Sequence, residues 1–501
     1  MPAVHKFRQG GNYIVLDICS GAVHVVEPII YYMLDYIPGA EVFFGEHPET
    51  ISTELSEQLA EKLSDKFPEV SALEVQQCFA ELGRLVSDGM LFSNDDFSRF
   101  AGQAAGAPVK SMCFHIAHDC NLRCRYCFAD TGTFSGQERE IMSPEKARSA
   151  IDWFIAHSGD RTELELDFFG GEPTLGWDTV EAAVAYGRAK EKDTGKHFNF
   201  TITTNGVALD DRKIDFINKE ISNCVLSLDG RREVNDKMRP TANGKGSYDL
   251  VVDKFRQLVA GRTNPGRTDY YVRGTFTAYN KDFSKDAVAL ANAGFRHISM
   301  EPVTAGSDKP YAIKEEDLPE IFRQYDKLYD IVYSLNNRDV FEHHTAGADS
   351  GLNPGAEFDF FHFNIDLEQG PCAVKLLRGC GAGTEYAAVT PGGDIYPCHQ
   401  FVGINRWKMG NINDVREKCE PGENISEVNP DSPQTGEEIR EYFAGTHVYS
   451  KYACRDCWAK FYCCGGCNAN SYLSEGDCRK PNPIACALMK KRVECAIALK
   501  A

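Results

Sequence analysis

The sequence predicts an α/β protein: a partial barrel of six strand–helix units, preceded by a small winged-helix-like unit and followed by a cysteine-rich region. Three observations predict this fold class. Strand-like runs alternate with helical patterns between residues 109 and 305, which is typical of parallel βαβ units. The first 95 residues contain a strand pair followed by helical patterns. Most of the 19 cysteines lie after residue 370, in a stretch rich in loops.

The unit at residues 1–95 is predicted from two strand-like runs, "NYIVLDI" and "GAVHVVE", which a short turn joins. Helical patterns follow near 53–66 and 70–86, and the run "GMLFS" predicts one more short strand. Paired strands with helices are typical of a winged-helix-like arrangement. The small residues of "GQAAGAP" predict a flexible linker at 96–108.

Six strand-like runs make up the predicted barrel at 109–305: "SMCFHIA", "LELDFF", "FNFTITT", "CVLSLD", "YYVRGTFT" and "HISMEPV". In related eight-unit barrels the reacting groups collect at the carboxyl ends of the strands. The residues suited to chemistry follow that rule: a cysteine loop follows the first strand, "GGEP" the second, "TNG" the third and Asp229 the fourth. Residues 306–371 predict a helical bridge, and residues 372–501 form the cysteine-rich region.

Composition narrows the functional class. The formal net charge of −19 argues against a general nucleic-acid or anionic-membrane binder. No apolar run reaches the length of a membrane span, and the N-terminus has no apolar signal core, so we expect a cytoplasmic protein. A reducing compartment disfavours disulfides. Clustered cysteines there point to metal or iron–sulfur ligation.

The densest cysteine cluster is the loop "CNLRCRYCF", in which Cys120, Cys124 and Cys127 have CxxxCxxC spacing. Three thiolates on one loop can reach three corners of a four-iron cluster and leave one iron open, with Tyr126 beside it. A zinc knuckle that borrows a distant fourth ligand is the alternative.

The second strand tip, "FFGGEPTL", comes next along the chain. Gly170 and Gly171 permit close approach of the backbone to a ligand, and Glu172 can accept a hydrogen bond from an ammonium group. On its own "GGEP" reads equally well as a plain turn. Its pairing with CxxxCxxC on successive strand tips is the specific signal.

With these motifs, residues 109–305 resemble the radical SAM superfamily. The resemblance implies that the open iron binds the amino and carboxylate groups of S-adenosylmethionine (SAM), and that one electron then cleaves SAM to methionine and a 5′-deoxyadenosyl radical. Cys120, Cys124 and Cys127 would hold the [4Fe–4S] cluster. The residues implied in SAM binding are Tyr126, Gly170, Gly171, Glu172, Ser227, Asp229 and Arg273; the last three serve equally well as ordinary salt-bridge or capping residues.

The later cysteines have regular spacing. Twelve residues separate Cys380 from Gly393, and four more precede Cys398. The run "CRDCWAKFYCCGGC" then gives C-x2-C-x5-C-x3-C, and Cys486 follows. This pattern resembles the SPASM domain, with a zinc ribbon as the alternative. The resemblance implies two further [4Fe–4S] clusters, and so three in all: a four-cysteine set (Cys454, Cys457, Cys463, Cys486) and a three-cysteine set (Cys380, Cys398, Cys467), with Cys372 as a candidate fourth ligand.

Two longer phrases narrow the resemblance. "HKFRQGGNYIVLDICSGAVHVVE" and "GCGAGTEYAAVTPGGDIYPCHQFVG" resemble the maturases of SCIFF peptides, also called ranthipeptides, which receive thioether crosslinks. Residues 1–95 are similar to elements that bind leader peptides as an added strand. Sulfatase-maturating relatives carry an Asp directly after the cysteine matching Cys398, whereas this chain has His399.

The resemblance implies a thioether-forming enzyme that acts on a small cysteine-rich precursor peptide held through its leader. It also implies a reductant such as ferredoxin or flavodoxin, and neither a nucleic-acid nor a membrane partner. The alternatives are sulfatase-type oxidation, carbon–carbon crosslinking and a zinc-stabilised peptide-binding adaptor without catalysis. The attacked carbon and the acceptor residue are left open by the sequence.

Overall fold

The computed structural model describes residues 4–37, 39, 44, 48–102, 106–134, 136–337, 351–367, 373–414 and 435–501. Its centre is a parallel sheet whose six strands follow one another in sequence order, as predicted. These strands are β4 (Ser111–Ala117), β5 (Glu163–Gly170), β6 (His197–Thr204), β7 (Asn223–Ser227), β8 (Asp269–Phe276) and β9 (His297–Pro302).

Helices connect these strands and cover one face of the sheet. They are α4 (Pro144–His157), α5 (Trp177–Thr194), α6 (Asp211–Glu220), α7 (Arg232–Met238), α8 (Tyr248–Ala260) and α9 (Ser284–Asn292). The burial of side chains alternates along β5, as expected for the two faces of a sheet. Leu164, Leu166 and Phe168 are fully buried, whereas Asp167 and Phe169 are only partly buried. Because successive side chains of a strand point to opposite faces, Asp167 and Phe169 face the barrel lumen.

Later segments extend the sheet at both edges to ten strands in the described residues. Strand β10 (Asp359–Phe360) pairs in parallel with β9, so the predicted helical bridge contains a strand besides helix α10 (Leu318–Asn336). At the other edge β11 (Tyr386–Val389) pairs in parallel with β4. Strands β12 (Asp394–Tyr396) and β13 (Gly410–Asn411) follow in antiparallel pairing. The cysteine-rich region is therefore continuous with the barrel sheet.

The N-terminal unit has a three-stranded antiparallel sheet in the order β1-β2-β3. The predicted strand pair is confirmed as β2 (Asn12–Asp17) and β3 (Val23–Val26), and β1 (Val4–Gln9) adds a strand that the charged "HKFR" run concealed. The unit's helices are α1 (Pro28–Met33), α2 (Thr53–Leu63) and α3 (Ala72–Ser87).

The predicted strand at "GMLFS" is wrong. These residues form turns and bends, and Phe92 has a positive φ of 54°. Leu91 is buried in the unit's own core, so the segment packs as a loop without ladder pairing. The imidazole of His24 on β3 contacts the Met90 carbonyl oxygen at 2.9 Å, which fixes this loop against the sheet.

The N-terminal sheet packs against the C-terminal helix α16 (Pro483–Ala498). Phe7, Ile14 and Leu16 belong to the same buried cluster as the barrel core and α16. The His5 ring on β1 stacks on the Trp458 ring at 3.7 Å between centroids. The N-terminal unit therefore shares a buried core with the rest of the chain.

The cysteine-rich region is otherwise made of short helices and loops. Its helices are α11 (Ala373–Arg378), α12 (Gly436–Ala444), α13 (Tyr452–Arg455), α14 (Lys460–Cys463), α15 (Asn468–Glu475) and α16. None of the helices in the described part of the chain combines the length and apolar character that a membrane crossing needs.

Candidate active site

The cysteine loop (residues 120–127) leaves the carboxyl end of β4 and is held by backbone hydrogen bonds. Arg123 N donates to the Pro240 carbonyl at 2.7 Å, and Arg125 N donates to the Met238 carbonyl at 2.9 Å. The loop thiols are half-buried and interact electrostatically with one another. Burial raises the pKa of Cys120 and of Cys124 to about 12. The free thiols are therefore protonated at neutral pH, and a bound metal must displace their protons.

Tyr126 ties the loop to the tip of β7. Its hydroxyl donates to the fully buried carboxylate of Asp229, at 2.8 Å to Oδ1 and 2.6 Å to Oδ2. The same carboxylate pairs with Arg239 Nε at 3.0 Å and accepts a hydrogen bond from Thr275 N at 2.9 Å. The structure thus gives Asp229 a positioning contact to the loop. Its role as a SAM contact, and that of Tyr126, stay predictions.

The "GGEP" tip of β5 lies directly against the start of the cysteine loop. Gly171 N donates to the Ala117 carbonyl at 2.7 Å, and Glu172 N donates to the Asp119 carbonyl at 2.9 Å. Gly170 has φ = +121°, and a Cβ at Gly171 would overlap the Asp119 carbonyl. Glycine is therefore required here for close approach between two backbone segments.

Glu172 is buried, at 1% exposure, and joins the tips of β5 and β6. Its Oε1 accepts hydrogen bonds from Thr174 N at 3.1 Å, Thr174 Oγ1 at 2.6 Å and Thr204 Oγ1 at 2.7 Å, and its Oε2 accepts one from Asn205 N at 2.8 Å. Burial raises the pKa of Glu172, and these donors oppose the rise. Oε2 has fewer protein donors and is the oxygen better able to accept a further hydrogen bond.

We expect Glu172→Ala to weaken SAM binding by roughly 10–100-fold, because a charge-assisted hydrogen bond contributes about 1.5–3 kcal/mol. Equilibrium binding under anaerobic conditions measures this. Thr204→Val is the matched control, since it loosens the same network but keeps the carboxylate. Equal loss of affinity in both variants, or none in Glu172→Ala, would assign Glu172 a purely structural role.

Asn205, in the "TNG" turn, is a residue whose role the sequence did not specify. Its side-chain amide donates to Asn121 Oδ1 at 2.8 Å and lies 3.6 Å from Cys120 Sγ. An N–H donor beside a cluster thiolate is one of the means by which proteins tune iron–sulfur clusters. In the sequence, the position of Asn205 directly after the third strand was the one feature that indicated a place near the site.

The lumen contains polar groups from several strands. Ser227 on β7 is opposite Arg273 on β8, whose side chain is exposed within the lumen and interacts electrostatically with Asp167. Asp167 also interacts with Cys113 on β4, and one of its oxygens is buried with no hydrogen-bond partner among the described residues. Asp167 was missed because it looks like the polar half of an ordinary alternating strand.

Burial raises the pKa of Asp167 to about 7, although Arg273 opposes the rise. The pKa of this carboxyl is about 4 in the unfolded chain and higher in the folded protein. Its contribution to the free energy of unfolding is therefore fully present below pH 4 and is lost as the pH rises through about 7. We expect the free energy of unfolding of Asp167→Asn to rise, relative to that of the native protein, by roughly 1–4 kcal/mol when the pH is raised from 5.5 to 8. Anaerobic thermal unfolding at both pH values measures the change. Glu165→Gln, at an exposed position of the same strand, should show no such gain.

The second cysteine array lines a cavity of about 720 Å³ between the barrel and the cysteine-rich region. Its walls include Arg273 and Glu301 of the barrel, Arg492 of α16, all four members of the four-cysteine set, and Cys467. Glu301 interacts with Arg492 at 3.3 Å. The barrel lumen and the array therefore open on a common space.

The thiols of the array interact with one another, and their division into two ligand sets stays a prediction. Each member of the four-cysteine set interacts electrostatically with others of that set. Cys398 interacts with Cys467 and with Cys380. Cys372 and Cys419 lie outside the described residues. The fully buried Cys478 was missed in the sequence and lies near Cys467.

Among the described residues, no three His, Cys, Asp or Glu side chains converge closely enough to hold one metal ion. In a four-iron cluster each thiolate binds a different iron, so the ligands need only surround a common space. The three loop thiols, which interact with one another, and the four-cysteine set, which lines the cavity, are compatible with that requirement. Three clusters per chain stay a prediction.

Comparison with known proteins agrees with this geometry. Residues 115–272 match the profile of the Radical SAM superfamily. Mycofactocin maturase MftC of Mycolicibacterium smegmatis is 27% identical over 418 residues, which cover 77% of this chain and 86% of the relative. The cysteine-type anaerobic sulfatase-maturating enzyme of Clostridium novyi is 24% identical over 369 residues, covering 70% and 86%. The solved structure of native anSMEcpe with bound AdoMet and Cp18Cys peptide superposes with a TM-score of 0.56 at 19% identity, covering 78% of this chain and 97% of that one.

The α/β fold therefore includes a radical SAM domain, which the match places at residues 115–272. The match implies SAM and a [4Fe–4S] cluster. That Cys120, Cys124 and Cys127 hold this cluster stays a prediction. The superposition extends the shared fold beyond the matched segment into the cysteine-rich region.

Proposed function

We propose that this protein is a radical SAM enzyme that installs thioether crosslinks, joining a cysteine sulfur to a carbon of an acceptor residue in a small cysteine-rich precursor peptide. The observation that carries the proposal is the combination of three parts: the radical SAM barrel, the cysteine array that shares its cavity, and an N-terminal sheet with an accessible edge. The maturase names of similar proteins support a peptide or protein substrate.

A cluster held by the cysteine loop, with SAM bound, would supply the radical chemistry that removes one hydrogen atom from the acceptor carbon. When the substrate sulfur, having lost its proton, bonds to that carbon, one electron is left over and would pass to an auxiliary cluster. The chain's own residues orient the reactants. Glu172 is suited to accept a hydrogen bond from the SAM ammonium group. Arg273 presents a guanidinium in the lumen, suited to a carboxylate of SAM or of the peptide. A reductant such as ferredoxin or flavodoxin supplies the electron.

The leader would bind at the β3 edge. The β1 edge is covered by α16, whereas β3 is paired only with β2 in the part of the chain described. Val25 on β3 is 52% exposed and Met90 in the adjacent loop is 39% exposed. An exposed strand edge with apolar residues beside it is the kind of site to which a peptide adds as a further strand.

The array would hold two auxiliary [4Fe–4S] clusters, which makes three per chain. The three-cysteine set supplies three thiolates and so leaves a coordination position for a substrate thiol. A metal deprotonates a thiol that binds it and fixes the position of the sulfur. Cys380 and Cys467 are exposed, in keeping with access for a peptide. If Cys372 is a fourth ligand, this position is closed.

Sulfatase-type oxidation and carbon–carbon crosslinking are the competing activities. In the sulfatase-maturating enzymes the residue matching His399 is an Asp. Here the His399 ring contacts the Tyr386 hydroxyl at 3.0 Å, and burial lowers the pKa of His399 to about 4. The site therefore offers a half-buried imidazole in place of a carboxylate, which counts against sulfatase-type oxidation.

The test is an anaerobic reaction with SAM, a reductant and a cysteine-rich peptide that carries its leader. A thioether product should lose two hydrogen atoms per crosslink and become resistant to alkylation at the linked cysteine, as read by mass spectrometry. Conversion of cysteine to an aldehyde would indicate sulfatase-type chemistry, and an unchanged alkylatable thiol in a crosslinked product would indicate a carbon–carbon bond. An unmodified peptide together with zinc-loaded protein would support the adaptor.

A further inference from the structure

A buried lysine lies inside the second cysteine array. Lys451 precedes α13 and is only 1% exposed. Its Nζ donates to the Gly465 carbonyl at 2.8 Å and to Asn468 Oδ1 at 2.7 Å. The side chain also packs on the Gly465 Cα position, where an added Cβ would meet Cδ at 3.6 Å. Both the ammonium and its stem are therefore held in one place.

The charge of this ammonium is directed to cysteines of both sets. Burial lowers the pKa of Lys451, and interactions with Cys454, Cys478, Cys463 and Cys467, in that order, oppose the fall. Cys454 and Cys463 belong to the four-cysteine set and Cys467 to the three-cysteine set. Among the described residues, no carboxylate forms an ion pair with Lys451. Two uncharged oxygens compensate a buried ammonium poorly, because burying an unpaired charge costs several kcal/mol.

Thiolates would supply the missing negative charge once iron has displaced the thiol protons. We propose that Lys451 is a charge-tuning residue of the auxiliary clusters: its ammonium raises the reduction potential of the cluster on the four-cysteine set and so favours the acceptance of an electron there. This inference rests on the cluster assignment of the proposed function.

The expected direction of the change in reduction potential follows from electrostatics. One-electron reduction adds a negative charge to a cluster, and a nearby buried cation stabilises the reduced form. The effect should fall with distance along the array. Cys454 lies one helical turn after Lys451, and its N–H donates to the Lys451 carbonyl at 2.8 Å. Cys454 is also the cysteine that most strongly opposes the lowered pKa of Lys451. Cys467 is a weaker partner, and the cysteine-loop thiols have other charges beside them. The shifts in reduction potential of the three clusters can therefore be compared within one protein.

The experiment is a redox titration of the full-length protein, reconstituted anaerobically and followed by electron paramagnetic resonance, after the iron content has been measured. In Lys451→Met, the four-cysteine cluster should show at least a tenfold higher oxidised-to-reduced ratio at a fixed potential, which for one electron is about 59 mV. The three-cysteine cluster should shift less and the cysteine-loop cluster not at all. Lys451→Arg should restore most of the native value.

Lys460→Met is the matched control. Lys460 is equally buried and lies in the same array, but its ammonium pairs with Asp95 at 2.6 Å, so its removal should leave the cluster potentials in place. If Lys451→Met does not retain iron, Lys451→Gln replaces it, because an amide keeps an N–H for Gly465 or Asn468.

Unchanged potentials in the neutral variants, or an equal shift in all three clusters or in Lys460→Met, would overturn the inference. Loss of auxiliary iron in both neutral variants, with retention in Lys451→Arg, would also overturn it and assign Lys451 to cluster assembly. The cluster assignment itself fails separately, if the native protein lacks auxiliary iron before any substitution is made.

Discussion

Replacement of Cys120, Cys124 and Cys127 together by alanine is expected to abolish formation of 5′-deoxyadenosine from SAM and to remove about a third of roughly twelve irons per chain. The physical reason is local. The three thiols lie on one loop, which backbone hydrogen bonds to residues 238 and 240 fix at the tip of β4. Anaerobic reconstitution, iron and sulfide analysis and chromatographic detection of 5′-deoxyadenosine measure the outcome.

The control for this variant is replacement of the four-cysteine set by alanine. This variant should lose a similar share of iron and keep the cysteine-loop cluster. The spectra of the two variants should therefore differ. Residual 5′-deoxyadenosine in the loop variant would contradict the assignment of the cluster. Stoichiometric zinc with little iron in the native protein would contradict the whole iron–sulfur interpretation.

The double variant Val25→Glu/Met90→Glu is expected to abolish peptide crosslinking while peptide-free SAM cleavage continues at the native rate. Two carboxylates on an apolar docking edge would remain desolvated and unpaired when a leader adds as a strand. Interface substitutions of this kind cost about 2–4 kcal/mol or more, equivalent to roughly 30–1,000-fold in affinity. Fluorescence binding of a labelled leader and mass analysis of the peptide give the two readouts.

Leu250→Glu serves as the matched control, because Leu250 is a similarly exposed apolar residue, at 46%, on helix α8 of the barrel. It should bind the leader normally. Point substitution is a better test than deletion of residues 1–95, since Phe7, Ile14 and Leu16 pack into the main core and their removal would expose it. Full-rate crosslinking by the double variant would place the leader elsewhere.

The six central strands could be predicted because each is a local run of β-branched and aromatic residues between helical patterns. The pairing of β11 with β4 could not, because it joins residues 386 and 111 and no local pattern encodes it. The regular spacing of the later cysteines is a local property of the sequence, whereas their division into two sets comes from the family resemblance and stays a prediction. Asp167 and Lys451 were missed for the opposite reason: a lone Asp in a strand and a lone Lys before a CxxC motif look like solvated surface residues until burial is known.

The same pairing of β4 with β11 has a consequence for biosynthesis. The strand that carries the cysteine loop is an unpaired sheet edge until residues 386–389 have been made, and translation at 5–20 residues per second leaves it so for roughly 10–60 seconds. Exposed edge strands invite association with other chains. Expression at a lower temperature, or together with chaperones, should therefore improve the recovery of soluble protein. Chains truncated before residue 386 should aggregate even though their six-stranded barrel segment is complete.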